Sequence, residues 1–465
     1  MSMWKRIWRW ADDELGFSET ILPIIQHPVP RGVNWWYVFG SATLVAFLVQ
    51  VITGVALAFT YVPAPNSAYD TIQFISERAV LGNLVRGIHY FGSSAMVILI
   101  GIHAIQVFLF GAHKWPRQFN WLSGVLLLGL TLTMAFTGQL LRWDQDGYWT
   151  VAVLASMVDR VPIVGHWLTQ LAVAGQTIGG ATLTRFFATH VFLLPALIFA
   201  LIGVHLYLVI RHGISEPPQP GVPVDPATYR QRYHELLKHG EPFWPDAAWK
   251  DVVFALAVGA CVVALAVVIG APALGRPADP TIIQADPHPD WYFLWLFALL
   301  ALSPPALESV IILGFPVLLG VVLFLVPFLG ATGERAPSRR PWAVGGVALV
   351  VFTIGVLIAA GYAAPWSPDT QAQALPADVT QSLSGDAARG AQVFVDKGCI
   401  ACHRIAGTGG RRGPDLTYVG DRLSRDQLTI RIINGGNNMP AYGGNVTSDQ
   451  LSALVTFLQQ RRYQP

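Results

Sequence analysis

The stretch HYFGSSAMVILIGIH, residues 89–103, begins and ends with histidine and is almost wholly apolar in between. A second stretch, FFATHVFLLPALIFALIGVH at 186–205, also carries two histidines, at positions 190 and 205. About 20 apolar residues cross a bilayer, so both stretches are expected to belong to membrane-spanning helices. Ionisable side chains inside such helices are rare and usually functional, so these two pairs decide how the sequence is interpreted.

The two histidines of each pair are predicted to lie on one face of their helix. Spacings of 14 and 15 residues are close to four helical turns, and at roughly 1.5 Å per residue they separate the rings by about 21 to 23 Å. His89 is then level with His190, and His103 with His205. A lone intramembrane histidine is more often a packing residue, but four in register favour ligation. Because no acidic residue accompanies them, the two apolar bis-imidazole sites predict two haem b groups rather than a hard metal.

Glycines repeat with the same 14-residue spacing in the two neighbouring apolar runs, as Gly40 and Gly54 and as Gly124 and Gly138. Glycine in a membrane helix usually permits close helix packing, but the shared period predicts room for two flat macrocycles. Arginines stand at the ends of the second, third and fourth runs. They are placed to pair with haem propionates or to anchor the spans at the interface, and spacing alone favours neither. These arginines are Arg86, Arg117 and Arg211.

The composition is that of an integral membrane protein. Of the 465 residues, 53% are hydrophobic and only 12% are charged, which is about half the charged fraction usual in soluble domains. A net charge of +2 gives no sign of a nucleic-acid partner. The apolar run at 291–302 is too short to cross a bilayer and is expected to lie at the surface or to re-enter. Seven runs are long enough, at 34–61, 88–110, 121–141, 186–210, 252–274, 306–329 and 342–363.

Lysine and arginine are distributed unevenly between the two sets of connections, fourteen against six. The positive-inside rule then places the N-terminus in the cytoplasm, and an odd number of spans places the C-terminus outside. We therefore expect a multi-pass protein of a bacterial cytoplasmic membrane. The Trp- and Arg-rich residues 1–33 lack the cleavage site of a signal peptide and predict a segment lying at the membrane surface.

After residue 363 the chain becomes polar, and its last 80 residues form a small soluble domain. The motif CIACH at 399–403 predicts thioether attachment of a haem c to Cys399 and Cys402, with His403 as an axial ligand. A zinc or redox CxxC usually lacks the adjoining histidine. Met439 is the only methionine after residue 157, so elimination makes it the second axial ligand. A His/Met pair gives a raised potential, and attachment outside the cytoplasm agrees with the seven-span topology.

Residues 1–365 resemble cytochrome b of the quinol–cytochrome c reductases, in particular the type made of cytochrome b6 and subunit IV. The 15-residue histidine spacing is that of the b6 variant, and residues 386–462 resemble a small class I cytochrome c. The motifs that carry the likeness to cytochrome b6 are NWWYVFG, FLVQVITG, LVRGIHYFGSSAMV, KWPRQFNWLSG, TGQLLRWDQDGYW and TLTRFFATHVFLLP, and those like subunit IV are GEPFWPD, GRPADP and HPDWYFLW.

The resemblance implies an all-α integral membrane fold, in which seven spans include a four-helix dihaem bundle, followed by a small all-α cytochrome c domain. The expected units are an interfacial segment at 1–33, a b6-like dihaem bundle at 34–211, a cytoplasmic loop at 212–250, a subunit IV-like part with the quinol-site loop at 251–365, a linker at 366–385 and a cytochrome c domain at 386–465.

In function, the resemblance implies a quinol:cytochrome c oxidoreductase that runs a Q-cycle and translocates protons. The His89/His190 haem would be the outer, low-potential one, and the His103/His205 haem the inner, higher-potential one. The resemblance also supports propionate contacts for the three arginines and haem contacts for the four glycines. The implied partners are a Rieske iron–sulfur protein, a further cytochrome c subunit or soluble cytochrome c, the membrane quinone pool and a second copy of the complex.

The family motif Pro-Glu-Trp-Tyr is here Pro289, Asp290, Trp291 and Tyr292. Asp290 would accept a proton from quinol, since a carboxylate at an apolar site edge can have a raised pKa. Without the resemblance, a loop aspartate that caps the next helix is an equal explanation. The shorter acid is common in relatives with low-potential quinones, which predicts menaquinol. Where b6 proteins carry a cysteine that tethers an extra haem, this chain has Val38, so no such haem is expected.

Three alternatives remain open from the sequence. A dihaem membrane anchor of a dehydrogenase also pairs histidines across a bilayer, but it would lack the Pro-Asp-Trp-Tyr loop and the three later spans. A photosynthetic b6f-type variant is a second alternative, which the valine at position 38 disfavours. A non-catalytic electron conduit would need no quinone pocket, and quinone-site inhibitors would leave it unaffected.

Overall fold

The computed structural model describes residues 2–20, 22–175, 178–279, 288–363, 374–410, 413–435, 439, 442–443 and 445–463. Within these residues the predicted seven spans are confirmed, and the short run after Asp290 forms only an 11-residue helix, Trp291–Ala301. Spans 1 to 7 are Phe39–Ala58, Gly82–Leu109, Gln118–Leu140, Gly180–His212, Trp249–Val268, Ser309–Leu329 and Pro341–Ala363.

Spans 1 to 4 form a four-helix bundle around an apolar core. The core brings together Phe47 of span 1, Met96 of span 2, Leu130 of span 3 and Ile198 of span 4. Ala42 and Ala46 line the same core on span 1, and their small side chains let the neighbouring helix approach closely. Span 5 covers the bundle through Phe254 and Val258. This apolar core separates the two ends of the bundle, which we call the His89 end and the His103 end.

The His89 end is covered by short helices. Two of them, Ala68–Glu77 and Gln145–Asp159, pack around a second cluster that includes Leu140, Tyr148 and Leu183, all of them buried. The buried side chain of Asp144 starts one of these helices by accepting a hydrogen bond from the Gly147 N–H at 2.9 Å. The helices at this end are Ala68–Glu77, Gln145–Asp159, Gly165–Val173 and Trp291–Ala301.

The His103 end is tied together by the segment that joins spans 4 and 5. Its helix, Tyr229–Lys238, packs two tyrosines against Arg117, and Glu216 forms an ion pair with Arg335 at 2.6 Å. The segment therefore forms an ordered part of the fold. Other elements at this end are a strand pair, Pro28–Val29 with Glu241–Pro242, the helical turns Trp35–Tyr37, Phe243–Ala247 and Pro337–Arg339, and the N-terminal helices Met3–Leu15, Phe17–Thr20 and Leu22–Ile25.

The C-terminal residues have a core of their own, which includes Phe394, Ile405 and Phe457. Helix Gly385–Asp396 crosses helix Ser448–Gln459 at Gly390, where any side chain would collide with the main chain of Ala453. Of the predicted linker, residues 366–373 lie outside the described residues. The remaining elements are helices Ala377–Thr380, Cys399–Cys402 and Arg425–Asn434, the turn Val419–Asp421, and the strand pair Arg404–Ile405 with Thr408–Gly409.

Candidate haem and quinol sites

His89 and His190 face each other inside the bundle. Their ring centroids are 6.4 Å apart and their planes are inclined by 72°. If each ring bound one iron from opposite sides, a metal–nitrogen bond of about 2 Å and a ring radius of about 1.1 Å would put the centroids roughly 6.2 Å apart. The observed separation therefore fits a bis-imidazole iron site. The His103 and His205 rings occupy the matching positions at the other end, each against a glycine of a neighbouring span.

A π turn over Thr189–Leu193 contains His190. A π turn takes up one more residue than an α turn, and such turns are frequent at functional sites. It therefore absorbs the one-residue difference between the 15-residue spacing in span 4 and the 14-residue spacing in span 2. This local distortion lets His190 meet His89 while His205 meets His103.

Three of the four histidines make a hydrogen bond through Nδ1 to a hydroxyl on a neighbouring span. His89 lies 2.9 Å from Thr53 Oγ1, His205 lies 2.8 Å from Ser123 Oγ, and His190 lies 3.1 Å from Thr137 Oγ1. Each hydroxyl directs its own proton to a main-chain oxygen of its helix, at Val49, Asn120 and Met134, over distances of 2.7 to 2.9 Å.

Since each hydroxyl proton is already used, the hydroxyl oxygen must accept the proton of Nδ1. This fixes the tautomer of each ring and leaves Nε2 as the free, metal-binding nitrogen, so the donor set fits haem iron. Sequence reasoning missed these hydroxyls, although a signal was present. Each is the residue directly before one of the spaced glycines, in the dipeptides Thr53-Gly54, Ser123-Gly124 and Thr137-Gly138.

The four glycines each lie against the ring of one predicted ligand. A methyl group at Gly138 would lie 2.7 Å from His190 Cε1, and at Gly40 it would lie 3.1 Å from His103 Cε1. The corresponding distances are 3.2 Å from Gly54 to His89 and 3.6 Å from Gly124 to His205. The shared 14-residue period therefore reserves room for the imidazole rings, beyond any role in packing one helix on another.

The three predicted propionate arginines have different surroundings. Arg86 lies on the cavity beside His89 and donates to Ser76 Oγ at 2.8 Å and to the Pro272 carbonyl at 2.7 Å. Arg117 is buried and donates to the carbonyls of His212 and Gly213 and to Tyr229 Oη. The exposed Arg211 donates to Tyr207 Oη at 3.1 Å. Propionate contact stays a prediction for all three, and for Arg86 the cavity beside His89 supports it.

One cavity of about 240 Å³ reaches from the His89/His190 pair to Asp290 and Tyr292. Tyr292 Oη donates to Asp290 Oδ2 at 2.7 Å, and burial together with this carboxylate raises the pKa of Tyr292 well above its ordinary value. Asp290 occupies the position before helix Trp291–Ala301, but its side chain caps no backbone N–H group. The Asp290 carboxylate is therefore bonded to Tyr292 and does not cap the helix, which was the alternative explanation for this residue.

The other two residues of this motif fix its position. Pro289 is buried, and Trp291 donates from Nε1 to Ser94 Oγ of span 2 at 3.3 Å. Sequence reasoning missed Arg142, which also lines the cavity and whose Nε atom lies 3.5 Å from Asp144 Oδ2. Arginine and carboxylate groups thus share one apolar space with a bis-histidine pair.

A second carboxylate lies at the His103 end, where sequence reasoning named none. Ser41 Oγ is within hydrogen-bond distance of the Asp251 carboxylate and lies 2.9 Å from the Val38 carbonyl. Ser41 directly follows Gly40, the glycine that lies against His103. The signal that could have found Asp251 is its carboxylate in the first turn of a span in which Lys250 is the other charged residue.

In the C-terminal domain, His403 follows the single helical turn Cys399–Cys402. Its Nδ1 lies 2.8 Å from the Pro414 carbonyl, which again leaves Nε2 free to bind iron. Gly413 lies against the same ring, where a side chain would collide with it. Met439 packs against the domain core. These contacts fit a covalently attached haem with His403 as a ligand, and the ligand role of Met439 stays a prediction.

Comparisons with known proteins agree with this geometry. Residues 24–213 match the family model "Cytochrome b/b6/petB", residues 277–377 match "Cytochrome b(C-terminal)/b6/petD", and residues 385–458 match "Cytochrome C oxidase, cbb3-type, subunit III". Cytochrome b6 of Synechococcus elongatus is 37% identical over 212 residues, which is 46% of this chain and 99% of that protein. Cytochrome b6 of Crocosphaera subtropica is likewise 37% identical over 212 residues, which is 96% of its length.

Among solved structures, one described as a hyperthermophilic respiratory Complex III matches with a TM-score of 0.64. The two chains are 24% identical, and the match covers 84% of this chain and 95% of the other. At this identity the match establishes the fold. It extends over most of the chain, whereas the matches to the relatives above cover less than half of it.

Proposed function

This chain belongs to the cytochrome b/b6 family and carries a fused cytochrome c domain, and on that premise we propose that it is the quinol-oxidising subunit of a quinol:cytochrome c oxidoreductase. The observation that carries the proposal is the single cavity shared by the His89/His190 pair and by Asp290 and Tyr292. An electron acceptor and a proton acceptor would thus meet the same bound quinol. The match of residues 277–377 to the C-terminal cytochrome b family disfavours a dehydrogenase anchor, which would lack that part.

We assign one haem b to His89 and His190, the other to His103 and His205, and a haem c to Cys399, Cys402, His403 and Met439. When bound, these groups supply one-electron chemistry across the membrane and onward to an acceptor. The chain's own residues hold the imidazoles in the required tautomer through Thr53, Ser123 and Thr137. They also keep the space around the rings apolar, which limits access of water.

At the His89 end, quinol gives up two protons and two electrons. We assign Asp290 as the acceptor of one proton, and the other proton leaves to the aqueous phase outside. The hydroxyl of Tyr292 holds the Asp290 carboxylate in place through its 2.7 Å hydrogen bond. One electron goes to a Rieske iron–sulfur protein, a separate subunit, and the other crosses the bundle. The Pro-Asp-Trp-Tyr sequence supports menaquinol as the substrate, and extraction of only ubiquinone from the purified complex would remove that support.

At the His103 end, we assign quinone reduction, with Asp251 and Ser41 delivering protons. Ser41 has a single hydroxyl proton but two acceptors, the Val38 carbonyl and the Asp251 carboxylate. A proton on Asp251 satisfies both, because Asp251 then donates to Ser41 and Ser41 donates to the carbonyl. The pair is therefore suited to hold a proton next to the His103/His205 site and to release it to a reduced quinone.

The charge asymmetry supports an orientation with the His89 end outside and the His103 end in the cytoplasm of a bacterial inner membrane. Gly361, near the end of span 7, packs against Leu294 of the helix that follows Asp290. The chain therefore leaves span 7 at the His89 end on its way to the cytochrome c domain. This placement supports a role for the fused domain on the side where quinol is oxidised, passing electrons to a further cytochrome c. A dimeric complex is part of the same proposal.

The test is quinol-dependent reduction of the b and c haems in the purified complex, with and without quinone-site inhibitors. Asp290→Asn should slow quinol oxidation strongly while leaving the haem content unchanged, and Asp290→Glu, which keeps the acid, should retain most of the rate. An unchanged rate in Asp290→Asn refutes the proton-acceptor role. Haem reduction that no quinone-site inhibitor affects refutes the quinol oxidoreductase and favours a non-catalytic electron conduit.

A further inference from the structure

We propose that hydrogen-bond acceptors on the histidine Nδ1 atoms set which haem b is reduced more easily, and that Phe39 is the residue that creates the difference. The inference rests on the ligation proposed above. The bundle has four equivalent positions, each directly before a glycine that lies against a histidine ring. Hydroxyl residues occupy three of them, and the fourth, before Gly40, is Phe39.

The two rings at the His89 end are both held through Nδ1. His89 bonds to Thr53 and also interacts with the main chain of Gln50. His190 bonds to Thr137 and, at 2.9 Å, to the Met134 carbonyl. Each ring therefore has one hydroxyl and one main-chain carbonyl within reach, the carbonyl lying four residues before the glycine.

The His103 end has this arrangement on one side only. His205 bonds to Ser123 and interacts with the main chain of Asn120. The Nδ1 atom of His103, by contrast, is buried and has no hydrogen-bond partner among the residues that the structure describes. One of the four rings thus keeps an N–H group without an acceptor.

At His103 the main-chain acceptor is missing as well as the hydroxyl, because of where span 1 begins. Gln50, Asn120 and Met134 all stand inside an α-helix together with their glycine. The residue four before Gly40 is Trp36, which belongs to the 3-10 turn Trp35–Tyr37 that precedes the span. Its carbonyl is therefore outside the regular helical register. Phe39 adds no acceptor, since its ring packs on Phe254 with centroids 5.3 Å apart.

An acceptor on Nδ1–H makes an imidazole more electron-rich, which stabilises the oxidised, more positive iron bound at Nε2. An N–H without an acceptor does the opposite, because its buried positive edge is uncompensated. The site with two held rings is therefore harder to reduce than the site with one. An electron moves favourably from the His89/His190 site to the His103/His205 site, which is the direction that the proposed function requires.

The experiment is a spectroelectrochemical titration of both b haems in the purified complex, with haem content measured alongside. Phe39→Thr supplies the missing hydroxyl and should lower the midpoint potential of the His103/His205 haem. The expected shift is at most about 59 mV, which corresponds to about a tenfold change in the one-electron reduction equilibrium. Phe39→Val is the matched control, because it has the shape of threonine without the hydroxyl. Thr53→Val and Thr137→Val should raise only the potential of the His89/His190 haem. This shift should be smaller than that in Phe39→Thr, because a main-chain carbonyl still accepts from each ring.

Equal shifts in Phe39→Thr and Phe39→Val would show that packing, not the hydroxyl, sets the potential, and would overturn the inference. Unchanged potentials in both threonine variants would also overturn it, and they decide the matter if Phe39 variants do not assemble. The underlying ligation is tested separately by His103→Ala. Retention of both b haems in His103→Ala refutes the ligation itself. Loss of one haem in His103→Ala, together with unchanged potentials in the Phe39 and threonine variants, refutes this inference alone.

Discussion

Replacing Gly138 with alanine should disrupt the His89/His190 haem site, while the same change at Gly124 should be tolerated. The added methyl at Gly138 would lie 2.7 Å from His190 Cε1 and 3.3 Å from both ring nitrogens. Carbon atoms pack at about 3.5 to 4.0 Å, so the imidazole must move by roughly 1 Å. At Gly124 the nearest ring atom is 3.6 Å away, which is ordinary contact. The two substitutions are chemically identical and differ only in this distance.

The size of the effect follows from the overlap. Extra methyl groups in a packed interior cost about 1 to 3 kcal/mol. If that cost falls on the haem-bound state, it corresponds to a roughly fivefold to 150-fold loss of haem affinity, since about 1.4 kcal/mol is tenfold. His190 has little freedom to move away, because Thr137 and the Met134 carbonyl hold its Nδ1. Gly40→Ala and Gly54→Ala, with distances of 3.1 and 3.2 Å, should be intermediate.

The assay is the number of b haems per protein in the purified complex, followed by titration of their potentials. We expect Gly138→Ala to lose the His89/His190 haem or to shift its spectrum, and Gly124→Ala to keep two haems with wild-type potentials. The opposite pattern, with Gly124→Ala deficient and Gly138→Ala intact, would refute the view that these glycines make room for the ligand rings.

Three further predictions concern polar groups. Tyr292→Phe removes the hydroxyl that holds Asp290 and should slow quinol oxidation by roughly tenfold in a stopped-flow assay, with both b haems retained. Asp251→Asn should slow reoxidation of the b haems by quinone but not their reduction by quinol, and equal effects on both steps would contradict its placement. Backbone N–H groups hold the pKa of the half-buried Glu334 below its ordinary value. The contribution of Glu334 to stability is therefore complete above about pH 4.5 and is lost as the pH falls through the lower pKa of the folded state. The difference in melting temperature between wild type and Glu334→Gln should stay constant from pH 8 to about 5.5.

The bundle could be predicted from the sequence because its signals are local. Run length and histidine spacing depend only on the pitch of a helix and the thickness of a bilayer. The π turn at His190 could not be predicted, since one additional residue can also be accommodated by placing the rings at different depths. The hydroxyl partners could have been found, because Thr53, Ser123 and Thr137 directly precede glycines that the period had already identified.

Contacts between distant residues were not predictable in this way. The main partner of Arg117 is Tyr229, 112 residues away in the segment that joins spans 4 and 5. The rings of Tyr229 and Tyr233 also stack on the guanidinium group of Arg117, whose Cζ atom lies 5.5 and 5.3 Å from the two ring centroids. Three of the five N–H groups of the buried Arg117 side chain are used by these acceptors, which leaves two N–H groups for a propionate. Spacing at the end of a span cannot distinguish these uses, because it contains no information on which loop returns to cover the residue.

The basic residues at the His103 end show how one residue can serve two purposes. Arg340 donates to the carbonyls of Phe108 and Leu109 at the end of span 2, and Lys114 donates at 2.6 Å to the carbonyls of Gly330 and Thr332 just beyond span 6. Both spans end at this face, where the last carbonyls of a helix lack partners and its dipole is negative. Both cations are nearly buried. A positive charge at this face therefore stabilises the end of a span in the same position in which the positive-inside rule favours a cytoplasmic orientation. The charge count thus measures both effects together, and the orientation that it predicts stays a prediction.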